Sequence, residues 1–418
     1  MADMETTENT QDTENTENTE HKKNGTAVLC GMGSVLFVAG LIAVSVWGFL
    51  TPDRRQSDTE NRLLQSLPGL SWQVVADGSY MRELESYLTD QFPERDFIVR
   101  CKTYLDLLCG SRQLNGIYLG RDNQLFEPQT VPDAAQVETI TDGIHQFCRN
   151  HPDAQKAVAI APNATLLLQD QLPYGVTQYD QREVLSQLRD KIIGDDAPNT
   201  RWIDCPAALE TVTDTRLYYR TDHHWTTRAA YAVFRDIAAQ WELPADTVTY
   251  DFALVTDRFQ GTLASSSGIT HIYDDIEICM PHGFEGMSVI EYENENLKTT
   301  TFFNTQKLCG ANAYEVFLGG NYAKLVIQNA VENNRTLLVL KDSYANCMIP
   351  MLAPYFSQII VIDPRYYNDS VEGCMQDYGV THVLFLYNLN TFLSDRSLAD
   401  TIESCGIRNA ECGIDMQG

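Results

Sequence analysis

The sequence predicts an α/β fold: a parallel sheet covered by helices on both faces. Residues 336–340, 358–362 and 382–386 are near-continuous apolar runs of strand length. Helical patterns over 345–356 and 371–378 separate these runs. A strand that is apolar on both sides must be buried on both sides, and helices between successive parallel strands supply that cover. Ser343, Asp363 and Asn388 fall at the ends of the three runs, and ligands of such sheets bind outside the carboxyl ends of the strands.

The chain has 418 residues, 44% of them hydrophobic and 21% charged, enough for one large domain or two ordinary ones with a proper core. Its net charge of −27 repels nucleic acid and anionic headgroups, so no nucleic-acid partner is expected. Residues 1–25 are rich in Thr, Glu and Asn and lack apolar periodicity. Such a tail cannot bury enough surface to offset chain entropy and is expected to be disordered and cytoplasmic. Residues 26–50 carry no charge. At ~1.5 Å per residue they would span a ~30 Å hydrocarbon layer. A cleaved signal peptide has an apolar core of only about 7–15 residues, so an uncleaved single-pass signal anchor is expected. Lys22 and Lys23 on one side balance Arg54 and Arg55 on the other, which leaves the positive-inside rule tied. The commoner arrangement, a short tail inside and the folded part outside, is adopted. A buried core helix is the competing reading of that stretch.

Residues 51–70, polar and with Pro52, Pro68 and Gly69, read as a juxtamembrane stalk, and 71–418 as the extracytoplasmic domain. Residues 79–108 are helical by periodicity, broken at Pro93. Residues 116–126 read as a hairpin turning at Arg121-Asp122. Helices are expected over 134–150, 180–193 (capped by Asp180) and from Thr226 or Thr227 onward, and strands over 157–160 and 200–204. Residues 248–308 read as a β-rich antiparallel insertion with Ser265-Ser266-Ser267-Gly268 at a turn. Of the eleven cysteines, Cys30 lies in the apolar stretch; no Cys-x-x-Cys occurs and the spacings fit no zinc site. The remaining ten could form five disulfides or stay reduced.

Chemistry concentrates in two stretches, Asp222-His223-His224-Trp225 and Lys341-Asp342-Ser343-Tyr344. A serine hydroxyl becomes a good nucleophile when an imidazole takes its proton and a carboxylate fixes that imidazole's tautomer. Asp222 and His224 are close enough in sequence for one to orient the other. Ser343 opens a predicted helix, whose N–H groups favour an oxyanion. Asn321 and Asn388 could add side-chain donors to the same hole. The same residues have bland readings: Asp-Ser is a natural helix cap, and His223 and Trp225 suit simple packing. Asp-His-His could also hold a metal with Asp363 or Asp204; no cofactor or metal is expected.

The Asp222-His223-His224-Trp225 stretch resembles the signature of the DHHW protein family of Gram-positive bacteria, itself similar to the periplasmic SGNH-like acetyltransferases of alginate modification. The resemblance extends through Glu60-Asn61-Arg62, Asp90-Gln91-Phe92-Pro93 with Arg95-Asp96, Tyr118-Leu119-Gly120 with Leu125-Phe126, Pro162-Asn163-Ala164-Thr165, Phe317-Leu318-Gly319-Gly320-Asn321, Lys341-Asp342-Ser343-Tyr344 and Asp363-Pro364-Arg365-Tyr366. It implies a permuted, flavodoxin-like SGNH-hydrolase sheet, because the serine comes late in the chain. It also implies a triad of Ser343, His224 and Asp222, with Asn321, Asn388, His223, Tyr344 and Arg365 as oxyanion or substrate residues. Lys341 stands where SGNH hydrolases have the glycine of Gly-Asp-Ser, and Ala164 where many relatives have the lysine of Pro-x-Lys.

The function expected is O-acyl transfer, with acetyl as the group, or ester hydrolysis on a cell-surface polysaccharide, at the cell membrane and outside it. A membrane-bound O-acyltransferase partner is implied by the resemblance alone. The competing expectation is a catalytically silent glycan-binding or scaffold protein of a polysaccharide-modification complex, since a fold persists without its chemistry. Geometry separates the two: the enzyme needs His224 within hydrogen-bond reach of both Ser343 and Asp222.

Overall fold

A computed structural model describes residues 31–57, 62–293, 295, 297–310 and 312–402. The expected disordered tail at 1–25 lies outside the described residues. The chain divides into two compact units, one holding residues up to 57 together with 62–99, the other running from residue 100.

In the first unit, helix Gly31–Leu50 has a mean hydropathy of 2.1 and none of it is buried. By length and composition it can cross a membrane. Just after it, Arg54 and Gln91 exchange backbone–side-chain hydrogen bonds at 2.9 Å, and Arg54 pairs with Asp96 at 3.0 Å. The periodic stretch forms helix Ser79–Asp90 in this unit and helix Arg95–Leu108, most of which belongs to the second. They are split at Pro93, whose ring cannot continue a helix.

The second unit is built on an eight-stranded sheet. Its strands in chain order are β1 (Gln155–Ala161), β2 (Thr200–Ile203), β3 (Ser288–Tyr292), β4 (Leu297–Thr299), β5 (Lys324–Asn329), β6 (Thr336–Lys341), β7 (Gln358–Ile362) and β8 (His382–Asn388). Across the sheet the order is β4-β3-β5-β7-β6-β8-β1-β2. The five strands from β7 to β2 are parallel, while β5, β3 and β4 add antiparallel. This is the α/β fold with a large, mostly parallel sheet that the sequence predicts, with the strand leading to Ser343 in the middle of the sheet although it comes late in the chain.

The apolar runs are continuous because each face meets its own helices. Ala157, Ala159, Leu337, Val339, Ile359 and Leu384 share one core with α4 (Thr227–Gln240), through Ala229, Ala230, Val233 and Phe234. Val158, Ile160, Leu338, Leu340, Ile360 and Phe385 share the other with α1 (Ala134–Asn150) and α2 (Gln181–Ile192). Asp133, Asp180, Asp204 and Thr226 cap α1, α2, α3 (Cys205–Glu210) and α4 with side-chain acceptors.

Three expectations change. The single helix over 345–356 is instead a 3₁₀ turn, Ser343–Cys347, then one α turn, Ile349–Leu352, then a second 3₁₀ turn, Ala353–Tyr355. Pro350 and Pro354 interrupt the ladder by removing donors. The stretch 248–308 is antiparallel as expected but not wholly an insertion: Tyr250–Phe259 pairs with Asp274–Pro281, whereas β3 and β4 join the central sheet. Ser265-Ser266-Ser267 belongs to helix Thr262–Ser267, and Gly268 closes it with φ of 79°. All eight cysteines among the described residues are free.

Candidate active site

The Asp222-His223-His224-Trp225 stretch is a tight loop whose ends pair with each other, with a bridge between Tyr218 and Trp225 and a bond from Tyr219 N to His224 O. Its back is fastened to neighbouring segments. Asp274 accepts from Thr221 N and Thr221 Oγ1, both at 2.7 Å, and from Arg220 Nε at 3.2 Å. Gln124 Nε2 donates to Tyr219 O at 2.8 Å. Trp225, fully buried, donates from Nε1 to Tyr344 O, tying this loop to the turn that carries Ser343.

That tie brings together residues more than a hundred apart in sequence. His224 Nε2 lies 2.7 Å from Ser343 Oγ, and His224 Nδ1 contacts Asp222 Oδ1. Asp222 Oδ1 also accepts from His224 N at 3.0 Å, while its Oδ2 accepts from Thr262 N at 2.8 Å and Thr262 Oγ1 at 3.2 Å. Burial alone would push the Asp222 carboxyl up. The imidazoles of His224 and His223 and the donors around it instead hold it well below the usual carboxylate range. Asp222 and His224 are buried, and Ser343 is half-buried. An ionised carboxylate on Nδ1 keeps that proton on Nδ1, so Nε2 presents its lone pair to the serine hydroxyl.

Two aromatic faces sandwich the His224 ring. Tyr314 stacks at 3.7 Å between centroids and 13° between planes, and His223 tilts over it at 4.0 Å. The Tyr314 hydroxyl donates to Ser343 O at 3.3 Å. His223 Nδ1 lies 2.8 Å from Thr262 Oγ1, and burial followed by the neighbouring His224 lowers its pKa.

The other sequence-expected residues divide. Asn321 lies against the Ser343 turn, its Oδ1 accepting from Lys341 Nζ at 2.7 Å and Asn346 Nδ2 at 3.0 Å. Asn388 is buried and its Nδ2 donates to Asn163 Oδ1 at 2.9 Å, so this amide is spent inside the fold rather than offered to an oxyanion. Asn163 continues to Asn390, and Asn390 Nδ2 donates to Glu127 Oε1 at 2.9 Å. Burial pushes the Glu127 carboxyl up, with His223 opposing. Tyr344 is buried, and its hydroxyl donates to His223 O. Arg365 forks onto Asp363 at 2.8 and 2.7 Å.

The metal reading loses its ligands to protein partners. Asp222, His223 and His224 offer ligand atoms within 4.8 Å of one another. Yet both nitrogens of His224 and both oxygens of Asp222 already have partners, Asp363 is held by Lys341 and Arg365, and Asp204 caps α3.

Tyr314, Thr262 and Gly261 escaped the sequence reading. A Cβ on Gly261 would lie 2.2 Å from Asp222 Oδ2, so only glycine lets this segment approach the carboxylate. The available signal was weak: a glycine and a threonine after a strand. Tyr314 gave none, as one aromatic among many.

The sequence pattern of the DHHW protein family matches residues 206–362, and that of the SGNH hydrolase-like domain of acetyltransferase AlgX matches residues 120–278. Among solved structures, a DHHW family protein from Eubacterium siraeum is similar at 22% identity, over 70% of this chain and 96% of that one, with a TM-score of 0.57. PatB1 of Bacillus cereus is similar at 22% identity, over 66% and 97%, with a TM-score of 0.55. A second PatB1 structure, described as carrying a sulfonyl adduct, gives 20% identity, 67% and 98%, and a TM-score of 0.54. These likenesses show the fold. No curated protein sequence matches. In sequence the chain is thus similar to the DHHW proteins over residues 206–362 and to the AlgX-type SGNH hydrolase-like acetyltransferase domain over residues 120–278.

Proposed function

We propose that the chain is a membrane-anchored, extracytoplasmic SGNH-like O-acyltransferase or esterase, transferring acetyl, that acts on a cell-surface polysaccharide. One observation carries the reading: Ser343 Oγ, His224 Nε2 and Asp222 form a continuous hydrogen-bonded line, 2.7 Å at the serine step. The AlgX-type match supports acyl transfer as the reaction class, and the sulfonyl adduct of PatB1 is a covalent modification reported for a protein of the same fold. Helix Gly31–Leu50 supports the anchor. A membrane-bound O-acyltransferase delivering acyl groups is the partner the reading calls for.

Ser343 Oγ attacks the acyl carbonyl as its proton passes to His224 Nε2. The C–O bond to the donor then breaks, and His224 returns the proton to the departing oxygen. Deacylation reverses these roles, with a sugar hydroxyl or water as nucleophile. Asp222 remains ionised and stabilises the imidazolium. A separated triad would favour the silent-scaffold reading, and the 2.7 Å contact instead supports the enzyme.

The test is intact mass and nitrophenol release for the full chain in detergent with p-nitrophenyl acetate. The expected result is an acetyl adduct and turnover in wild type, both lost in Ser343→Ala. Equal turnover in Ser343→Ala removes the triad from the mechanism.

A further inference from the structure

Lys341 is an unusual neighbour for a nucleophile two residues away. It is 2% exposed, at the end of β6, where an apolar residue or glycine would cost nothing to bury. A buried ammonium is expensive unless paired and hydrogen-bonded. Its Nζ lies 3.2 Å from Asp363 Oδ2 and donates to Asn321 Oδ1 at 2.7 Å. Arg365 already neutralises Asp363 with a two-pronged contact. The lysine is therefore not needed to satisfy that carboxylate. What it adds is a second donor directed at Asn321.

An ammonium has donors and no lone pair, so whatever faces it must accept. That decides which end of the Asn321 amide turns inward. Asn346 Nδ2 also donates to Asn321 Oδ1, at 3.0 Å, and leaves Asn346 Oδ1 buried without a partner among the described residues. Turning Asn346 over would satisfy nothing, because its oxygen would then meet the oxygen that Lys341 holds. Asn321 itself arrives on a turn with positive φ at Leu318, Gly319 and Gly320, and it is exposed. Among the described residues no acceptor meets its Nδ2. Both donors to Asn321 come from the segment 341–346 that carries Ser343.

We infer that Lys341 is a positioning residue: it locks the Asn321 amide with oxygen inward, so that the Asn321 N–H groups face the open side beside Ser343 as an oxyanion donor. The inference rests on Ser343 being the nucleophile, and it gives the lysine that replaces glycine in Asp342-Ser343 a task of its own. Lys341→Met keeps the length of the side chain and leaves Asp363 paired with Arg365, so the fold should hold, yet Asn321 and Asn346 become free to turn over together, which gives the unpartnered Asn346 Oδ1 a donor.

The test is steady-state hydrolysis of p-nitrophenyl acetate by the full chain in detergent, for wild type, Lys341→Met, Asn321→Ala and the double variant. Loss of one oxyanion donor costs about 10²–10³-fold in kcat. Lys341→Met should fall by about 10²-fold in kcat with KM unchanged. The double variant should be no slower than Asn321→Ala, because the lysine acts only through that amide. Losses that multiply in the double variant overturn the inference. A crystal or neutron structure of wild type that distinguishes oxygen from nitrogen in Asn321 decides the orientation independently of turnover and of any variant's folding. Nitrogen facing Lys341 overturns the inference. Oxygen facing Lys341 in a protein with no serine-dependent turnover retains the lock and rejects the enzymatic reading instead.

Discussion

Asp222→Asn is the sharpest perturbation the site offers, because no orientation of the new amide satisfies its surroundings. Asp222 is 2% exposed and meets only donors: His224 N and Nδ1 on one oxygen, Thr262 N and Oγ1 on the other. If the asparagine oxygen takes the Thr262 side, its NH₂ faces the His224 backbone N–H and imidazole. Nδ1 must then lose its proton, which moves to Nε2, and Ser343 has no base. If the oxygen takes the His224 side, the tautomer survives, but Thr262 N faces an NH₂ group and the negative charge is gone. Either way a buried N–H is left unpaired, at about 1–3 kcal/mol of stability. The reversed tautomer costs about 10⁴-fold in kcat, or about 5 kcal/mol of barrier at ~1.36 kcal/mol per decade. The assay is nitrophenyl ester turnover alongside urea unfolding of the same preparation. A variant within tenfold of wild-type kcat would refute the claim that Asp222 sets the His224 tautomer.

Gly261→Ala places a methyl group 2.2 Å from Asp222 Oδ2, so the carboxylate must shift. Misplacement of about 1 Å can cost on the order of 10²-fold, and a loss of at least that size in kcat is expected from the same ester assay. His382, packed edge-on against Trp241 and Phe356, has its pKa lowered from 6.5 to about 4 by burial and then by Arg335. The folded state therefore binds fewer protons than the unfolded state between those values. The stabilising effect is complete above pH 6.5 and is lost as pH falls toward 4. At pH 5 it removes about 2 kcal/mol relative to neutral pH. Urea unfolding of wild type should show that decline, and His382→Gln should flatten it; an unchanged slope in the variant would assign the decline to other groups.

Much of the architecture was legible because local rules and tertiary packing agree. The runs at 336–340, 358–362 and 382–386 could be buried only in a sheet covered on both faces, and they are β6, β7 and β8. Asp180 and Thr226 cap helices as expected, where oxygen side chains precede the first unpaired N–H groups. Where local signals conflicted, prediction failed. Residues 345–356 have a helical apolar pattern, but Pro350 and Pro354 break the hydrogen-bond ladder. Asn388 sits at a strand end as expected, yet nothing in the sequence says that Asn163 would take its amide.

By itself the sequence determined the chemical types at the site, a carboxylate two residues from an imidazole and a serine after a buried strand, since those are properties of adjacent residues. Only the tertiary structure decided that Trp225 would bind the turn after Ser343, that Tyr314 would cover His224, and that Gly261 would bring Thr262 against Asp222. Those contacts join segments tens to more than a hundred residues apart. Their existence depends on strand order and on which faces pack together, and neither is encoded in any local window of the chain.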